Sequence, residues 1–182
     1  MDDRSQTIEQ IKLLRELQRR KARKTLRDFL PYINPKYQTK WFHREIADAC
    51  QALFEGLWSK VMISLPPQHG KSEIVSRLFP AWALGVDPDL KMVLCSYSAT
   101  LANGFNRAVQ RIMSSDEYKQ LFPDTFLNDE RLAKYRGYIC NAEMFEVVNH
   151  TGFLKTVGVG GSLTGTPAYI AIIDDPVKDA ME

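Results

Sequence analysis

One stretch constrains this chain more than any other: Val61-Met62-Ile63-Ser64-Leu65-Pro66-Pro67-Gln68-His69-Gly70-Lys71-Ser72-Glu73-Ile74. The apolar Val61, Met62, Ile63 and Leu65 predict a short strand ended by two prolines. Ser72 to Leu84 then predicts a helix through Ile74, Val75, Leu78, Trp82 and Ala83, despite Pro80. Strand, tight loop and helix in that order is the setting in which a phosphate-binding loop works. Gly70 lets the backbone turn its N–H groups towards an anion. Lys71 brings an ammonium to β- and γ-phosphate oxygens, and Ser72 offers a hydroxyl to Mg²⁺. The first helical turn, with Glu73, adds unpaired N–H groups and partial positive charge. In the usual pattern G-x-x-x-x-G-K-[ST], however, Leu65 occupies the first glycine's place. An ordinary strand-to-helix turn with an exposed lysine is the alternative, so a second site has to decide.

That second site is Ala168-Tyr169-Ile170-Ala171-Ile172-Ile173, an apolar run suited to a buried parallel strand, followed at once by Asp174-Asp175-Pro176. A strand that delivers a carboxylate to the C-terminal edge of a sheet is the Walker B arrangement. There Asp174 helps hold Mg²⁺ and the next acid positions or deprotonates the attacking water. The plain alternative is a turn opened by Asp-Pro. Two half-motifs in the right order, each ending a strand, point to nucleotide binding.

At 182 residues the chain is long enough for one α/β domain with its own core. A net charge of +2 means that any nucleic-acid surface has to come from local clustering. Cys50, Cys95 and Cys140 are widely spaced and lack zinc-site spacing, which predicts free thiols in a reducing compartment. No apolar run approaches the length of a membrane span, and the N-terminus lacks a signal-peptide core. A cytoplasmic protein is expected.

In chain order, residues 4 to about 29 read as a helix with Ile8, Ile11, Leu14, Leu17 and Leu26 near one side. Its later part carries Arg15, Arg19, Arg20, Lys21, Arg23, Lys24 and Arg27. Such a face grips a phosphate backbone or, as the favoured alternative, is simply solvated or docks a partner. The domain boundary is placed there, with a basic helix over 1–30 and the main domain over 31–182. Pro31 and Pro35 punctuate the chain before a second helix, Trp41 to Leu57. Trp41 and His43 stand where an adenine is stacked and hydrogen-bonded, or else are a core residue and a surface residue. Met92–Cys95 predicts a buried strand and Ala99–Met113 a helix bearing Arg107 and Arg111, making a parallel strand–helix–strand crossover with the Val61 strand. Ser114 to Tyr138 reads as loop-rich. Met144–Val148 predicts another strand, and Leu154–Val157 leads into the glycine series Gly158–Gly165. That series is either a flexible loop approaching DNA or nucleotide, or a run of β-turns.

Taken together, these residues resemble the N-terminal ATPase part of the large terminase subunit of tailed bacteriophages and prophages. The stretches that carry the resemblance are W-F-H-R-E-I-A-D-A, L-P-P-Q-H-G-K-S-E-I-V-S-R-L-F-P-A-W-A-L-G, C-S-Y-S-A-T-L-A, L-F-P-D, V-G-V-G-G-S-L-T-G and I-I-D-D-P-V-K-D, from about Pro31 onwards. The resemblance implies an ASCE-type, RecA-like P-loop sheet flanked by helices, and ATP hydrolysis that drives double-stranded DNA into a procapsid. It also implies a homo-oligomeric working motor, with a small terminase subunit and a portal protein as partners. Carried over, Gln68, His69, Gly70, Lys71, Ser72 and Glu73 form the nucleotide-binding loop, Lys71 meets the β/γ-phosphates, and Ser72 and Asp174 hold Mg²⁺. Asp175 falls at the catalytic acid's place, with Glu182 as a later alternative, and His43 at that of an adenine-reading glutamine.

The chain departs from the family at two positions. Gln68 stands where many relatives carry arginine, and Thr166 replaces a basic residue. An arginine finger is worth about 10³–10⁵ in rate, so its loss bears on turnover. The family's nuclease domain and coupling motif are not in this sequence, so a fragment or truncated frame is expected, with an inactive remnant as the alternative to a working motor.

Overall fold

A computed structural model describes residues 3–128 and 137–177, with side chains described from residue 6 onwards. Its centre is a four-stranded sheet in the order β2-β3-β1-β4, formed by β1 (Lys91–Ser96), β2 (Met144–Glu146), β3 (Phe153–Gly158) and β4 (Ile170–Asp174). β1 pairs in parallel with both β3 and β4, while β2 runs antiparallel along β3. This is an open, mostly parallel α/β sheet flanked by helices. Parallel neighbours need crossovers, and α6 (Ala99–Met113) supplies the one from β1 to β3.

The helix layer follows the apolar pattern. Met92, Leu94, Leu154, Ile170 and Ile172 join one buried cluster with Ile74, Leu78, Trp82, Phe105 and Val109 from the helices. In β4 the alternate residues Ala171 and Ile173 are exposed, so this strand is buried on one face only. Its period-two burial is what a strand covered on a single side shows.

Several expectations change. Val61–Leu65 is not a strand: the segment is unpaired and Met62 is 97% exposed. A four-residue apolar run cannot by itself tell a paired strand from an extended connector, and Pro66 and Pro67 remove two ladder donors. The predicted crossover from that strand to Met92 is therefore absent from the sheet. The first helix is two, α1 (Asp3–Lys24) and α2 (Leu26–Ile33), because the Thr25 hydroxyl caps Asp28 N–H and starts a new helix. Pro31 lies inside α2 rather than ending it. Ile8, Ile11, Leu14 and Leu17 are exposed, whereas Leu26, Phe29 and Leu30 reach the core. The basic face of α1 is partly engaged within the chain. Arg23 Nε donates to the Leu121 carbonyl at 2.6 Å and Arg19 Nη2 to Gln120 Oε1 at 2.7 Å, at the C-terminal end of α7 (Asp116–Leu121). Arg27 pairs with Asp48. α7 itself lies in the region read as loop-rich, started by the Ser115 hydroxyl accepting from Tyr118 N–H. α3 (Trp41–Phe54) runs as expected but ends before Leu57.

The helix after Lys71 is continuous but not uniform. It opens as α4 (Lys71–Glu73), widens into a π-helical turn over Ile74–Leu78, and continues as α5 (Phe79–Val86). Phe79 N–H donates to the Ile74 carbonyl, one residue further back than an α-helix reaches. Pro80 explains the defect: it has no N–H for the ordinary i−4 bond, and the wider turn absorbs the mismatch.

Candidate nucleotide site

Residues 65–73 line a cavity of about 860 Å³, together with Arg77, Tyr97, Asp175 and Val177. The floor is the Gln68–Ser72 loop and the rim is the C-terminal end of β4. Two backbone positions give the loop its shape. Gly70 has φ 77° and Gln68 φ 63°, both left-handed. At Gly70 a side chain is doubly excluded, since a Cβ would lie 2.5 Å from Tyr37 Oη and 3.1 Å from His43 Nε2. Gly70→Ala is therefore expected to cost about 1–3 kcal/mol of stability, checked by thermal melting.

Lys71 reaches across to the strand edge. Its Nζ lies 2.9 Å from Asp175 Oδ1. The hydrogen bond that the ammonium donates to Asp175, and then the charges of Asp175 and Asp174, push its pKa above the ordinary lysine value against the desolvation that lowers it. The positive charge therefore persists throughout the neutral range. Asp175 itself adopts φ 46°, and its carbonyl accepts from Tyr97 N–H at 3.0 Å. A non-glycine residue in this region is strained, and such strain gathers at functional positions.

Asp174 is 5% exposed and pairs in register with Ser96 across the β1–β4 ladder. Its Oδ2 accepts from Ser76 Oγ–H at 2.7 Å, a bond buried on both sides. Ser72 lines the cavity, but the hydroxyl that meets Asp174 is one helical turn further on. Glu73 is engaged by Arg77 at 2.6 Å, and the Arg77 guanidinium lies 5.6 Å from the Phe105 ring centroid. A second cation thus lines the cavity beside Lys71.

The remaining positions named from sequence divide. Gln68 and His69 line the cavity, and His69 Nδ1–H donates to the Pro67 carbonyl at 2.8 Å, tightening the loop on itself. His43 does not face the cavity. It is buried, its Nδ1 accepts from Lys40 N–H at 3.1 Å, and its Nε2–H donates to the His69 carbonyl at 3.1 Å. With both ring nitrogens engaged it braces the loop from behind and presents neither to a base. Trp41, by contrast, is 75% exposed. Glu182 lies outside the described residues. Sequence reasoning missed Ser76, Arg77, Ser96 and Tyr97. The signal for Ser76 and Ser96 is a small polar residue continuing a core-facing apolar pattern, and for Arg77 its place one turn after Glu73.

The Asp174 carboxylate and the Ser72 hydroxyl are oxygen groups of the kind that ligate Mg²⁺. Among the described residues no cluster of three or more histidine, cysteine or acidic side chains could hold a metal ion. No described helix is long and apolar enough to cross a membrane. Comparison with family models, with curated proteins and with solved structures gives no match.

Proposed function

We propose that this chain is a nucleotide-binding ATPase module of the terminase type, working through the Gln68–Ser72 loop and Asp174-Asp175. The observation that supports it most is the meeting of Lys71 and Asp175 at 2.9 Å, brought together from loop and strand 104 positions apart. An ammonium and a buried acid share one rim of a mostly parallel sheet, the edge where such sheets bind ligands.

In this reading the γ-phosphate displaces Asp175 from Lys71. The ammonium then neutralises phosphate charge while the freed carboxylate orients water for in-line attack. Loop N–H groups and the N-terminus of α4 hold the β-phosphate. Ser72 and Asp174 would hold Mg²⁺, which would supply charge neutralisation at the phosphates. Arg77 offers a cation in the same cavity where Gln68 provides none. Double-stranded DNA, a small terminase subunit, a portal protein and further copies of the chain are the partners this reading entails, in the host cytoplasm.

A second reading, a nucleotide-binding module without motor activity, draws on one observation: the segment leading into the loop, Val61–Leu65, is not held in the sheet. Phosphate release from ATP, measured with and without double-stranded DNA, separates the two. The motor reading expects Mg²⁺-dependent turnover that DNA stimulates. Nucleotide binding without turnover under either condition would leave the second reading standing.

A further inference from the structure

One buried imidazole joins the Gln68–Ser72 loop to the start of α3. His43 is the third residue of that helix, and its Nδ1 accepts from Lys40 N–H, so the ring proton sits on Nε2. Nε2–H in turn donates to the His69 carbonyl at 3.1 Å. His43 is 7% exposed, and its ring packs between those of Tyr37 and Phe42, with centroids 5.0 Å and 4.3 Å away. A ring held on that many sides does not follow the loop; the loop takes its setting from the ring.

The contact fixes more than one atom. The His69 carbonyl and the Gly70 N–H belong to a single planar trans peptide, so the two groups point in opposite directions. His43 lies behind the loop and does not line the cavity, whereas His69 and Gly70 both do. Drawing the carbonyl back onto the ring therefore turns the Gly70 N–H away from His43, towards the open side of the loop. Among the described residues nothing accepts from that N–H. The loop also needs a hold of this kind. Gln68 is left-handed without being glycine, and such conformations persist only when their surroundings impose them.

We propose that His43 is a positioning residue for the triphosphate: by holding the His69 carbonyl it aims the Gly70 N–H at a phosphate oxygen. The ring itself touches neither base nor phosphate. This rests on the nucleotide-binding reading above, and it replaces the adenine-reading place that the resemblance gives to the same side chain.

Two neutral substitutions divide the ring's contacts between them. In His43→Gln the amide nitrogen falls near the place of Nε2 and keeps a donor for the His69 carbonyl. In His43→Asn the amide oxygen falls near the place of Nδ1 and keeps an acceptor for Lys40 N–H. The readouts, on the full chain, are binding of a fluorescent ATP analogue, its displacement by inorganic tripolyphosphate, and the melting temperature. His43→Asn is expected to weaken both the analogue and tripolyphosphate by about 10–100-fold, as loss of one charge-assisted hydrogen bond does. His43→Gln is expected to keep both near wild type, although it too loses the ring's packing and melts lower. A role confined to starting α3 reverses that order and overturns the proposal. A ring that reads the base leaves tripolyphosphate affinity unchanged in both variants, which overturns it as well. Should either variant fail to fold, the wild type decides: its Gly70 amide proton resonance is expected to move downfield when tripolyphosphate is added, and an unmoved signal sinks the assignment. Wild-type protein that binds neither the analogue nor tripolyphosphate removes the site reading itself, and this assignment with it.

Discussion

Lys71→Ala is expected to lower ATP turnover by about 10²–10³-fold or more while leaving the melting temperature nearly unchanged. The activity loss follows from removing the one ammonium that the loop aims at the strand edge. The stability expectation follows from the exposure of its partner. Asp175 is 61% exposed on its side chain, and ion pairs of that kind contribute about 0–1 kcal/mol. Phosphate release read beside a thermal melt checks both halves, and turnover equal to wild type would remove Lys71 from the mechanism. The pH behaviour is constrained too. Because Asp175 raises the lysine's pKa above its ordinary 10.5, the charge is present below that value and is lost only as pH climbs beyond it. A decline in activity on the alkaline side near neutrality would thus have to come from another group.

Asp174→Asn is expected to act through the ion. The amide keeps the shape and still offers an acceptor to the Ser76 hydroxyl, so folding should survive or improve slightly, a buried charge having been removed. The negative charge is lost where the divalent cation needs it. Lewis-acid stabilisation is worth several kcal/mol, so turnover should fall by more than about 10²-fold, and added Mg²⁺ should restore it only in part. Asp175→Asn makes the contrasting case: the ion requirement stays near wild type and turnover falls. If Asp174→Asn and wild type show the same Mg²⁺ dependence, the buried acid has a packing role and no ionic one.

The two halves of the candidate site are more legible in the sequence than the fold around them. Gly70-Lys71-Ser72 and Asp174-Asp175 could be read because charged or conformationally special residues interrupt apolar runs at short range. Their meeting was an inference from order along the chain, and the Lys71–Asp175 contact agrees with it. The Val61–Leu65 segment misled because pairing is a property of a neighbour, and four apolar residues carry no information about whether one is present. Thr25 and Ser115 each start a helix with one hydroxyl, a signal easily lost among basic residues and turn-formers. His43 is placed near an adenine by resemblance. Only the three-dimensional arrangement, with Lys40 on one ring nitrogen and the His69 carbonyl near the other, shows that its ring is already occupied.

The widened turn at Ile74–Leu78 has a mechanical consequence. In a regular helix one residue corresponds to about 100° of rotation, so an extra residue in the turn sets the two flanking pieces out of phase by roughly that angle. On one side stand Lys71 and Ser72; on the other, Trp82 and Leu84 are locked in the core. Replacing Pro80 with a residue that supplies an N–H would let the coil regain its normal pitch. The chain would then have either to swivel its lysine off the strand edge or to withdraw its tryptophan from the interior.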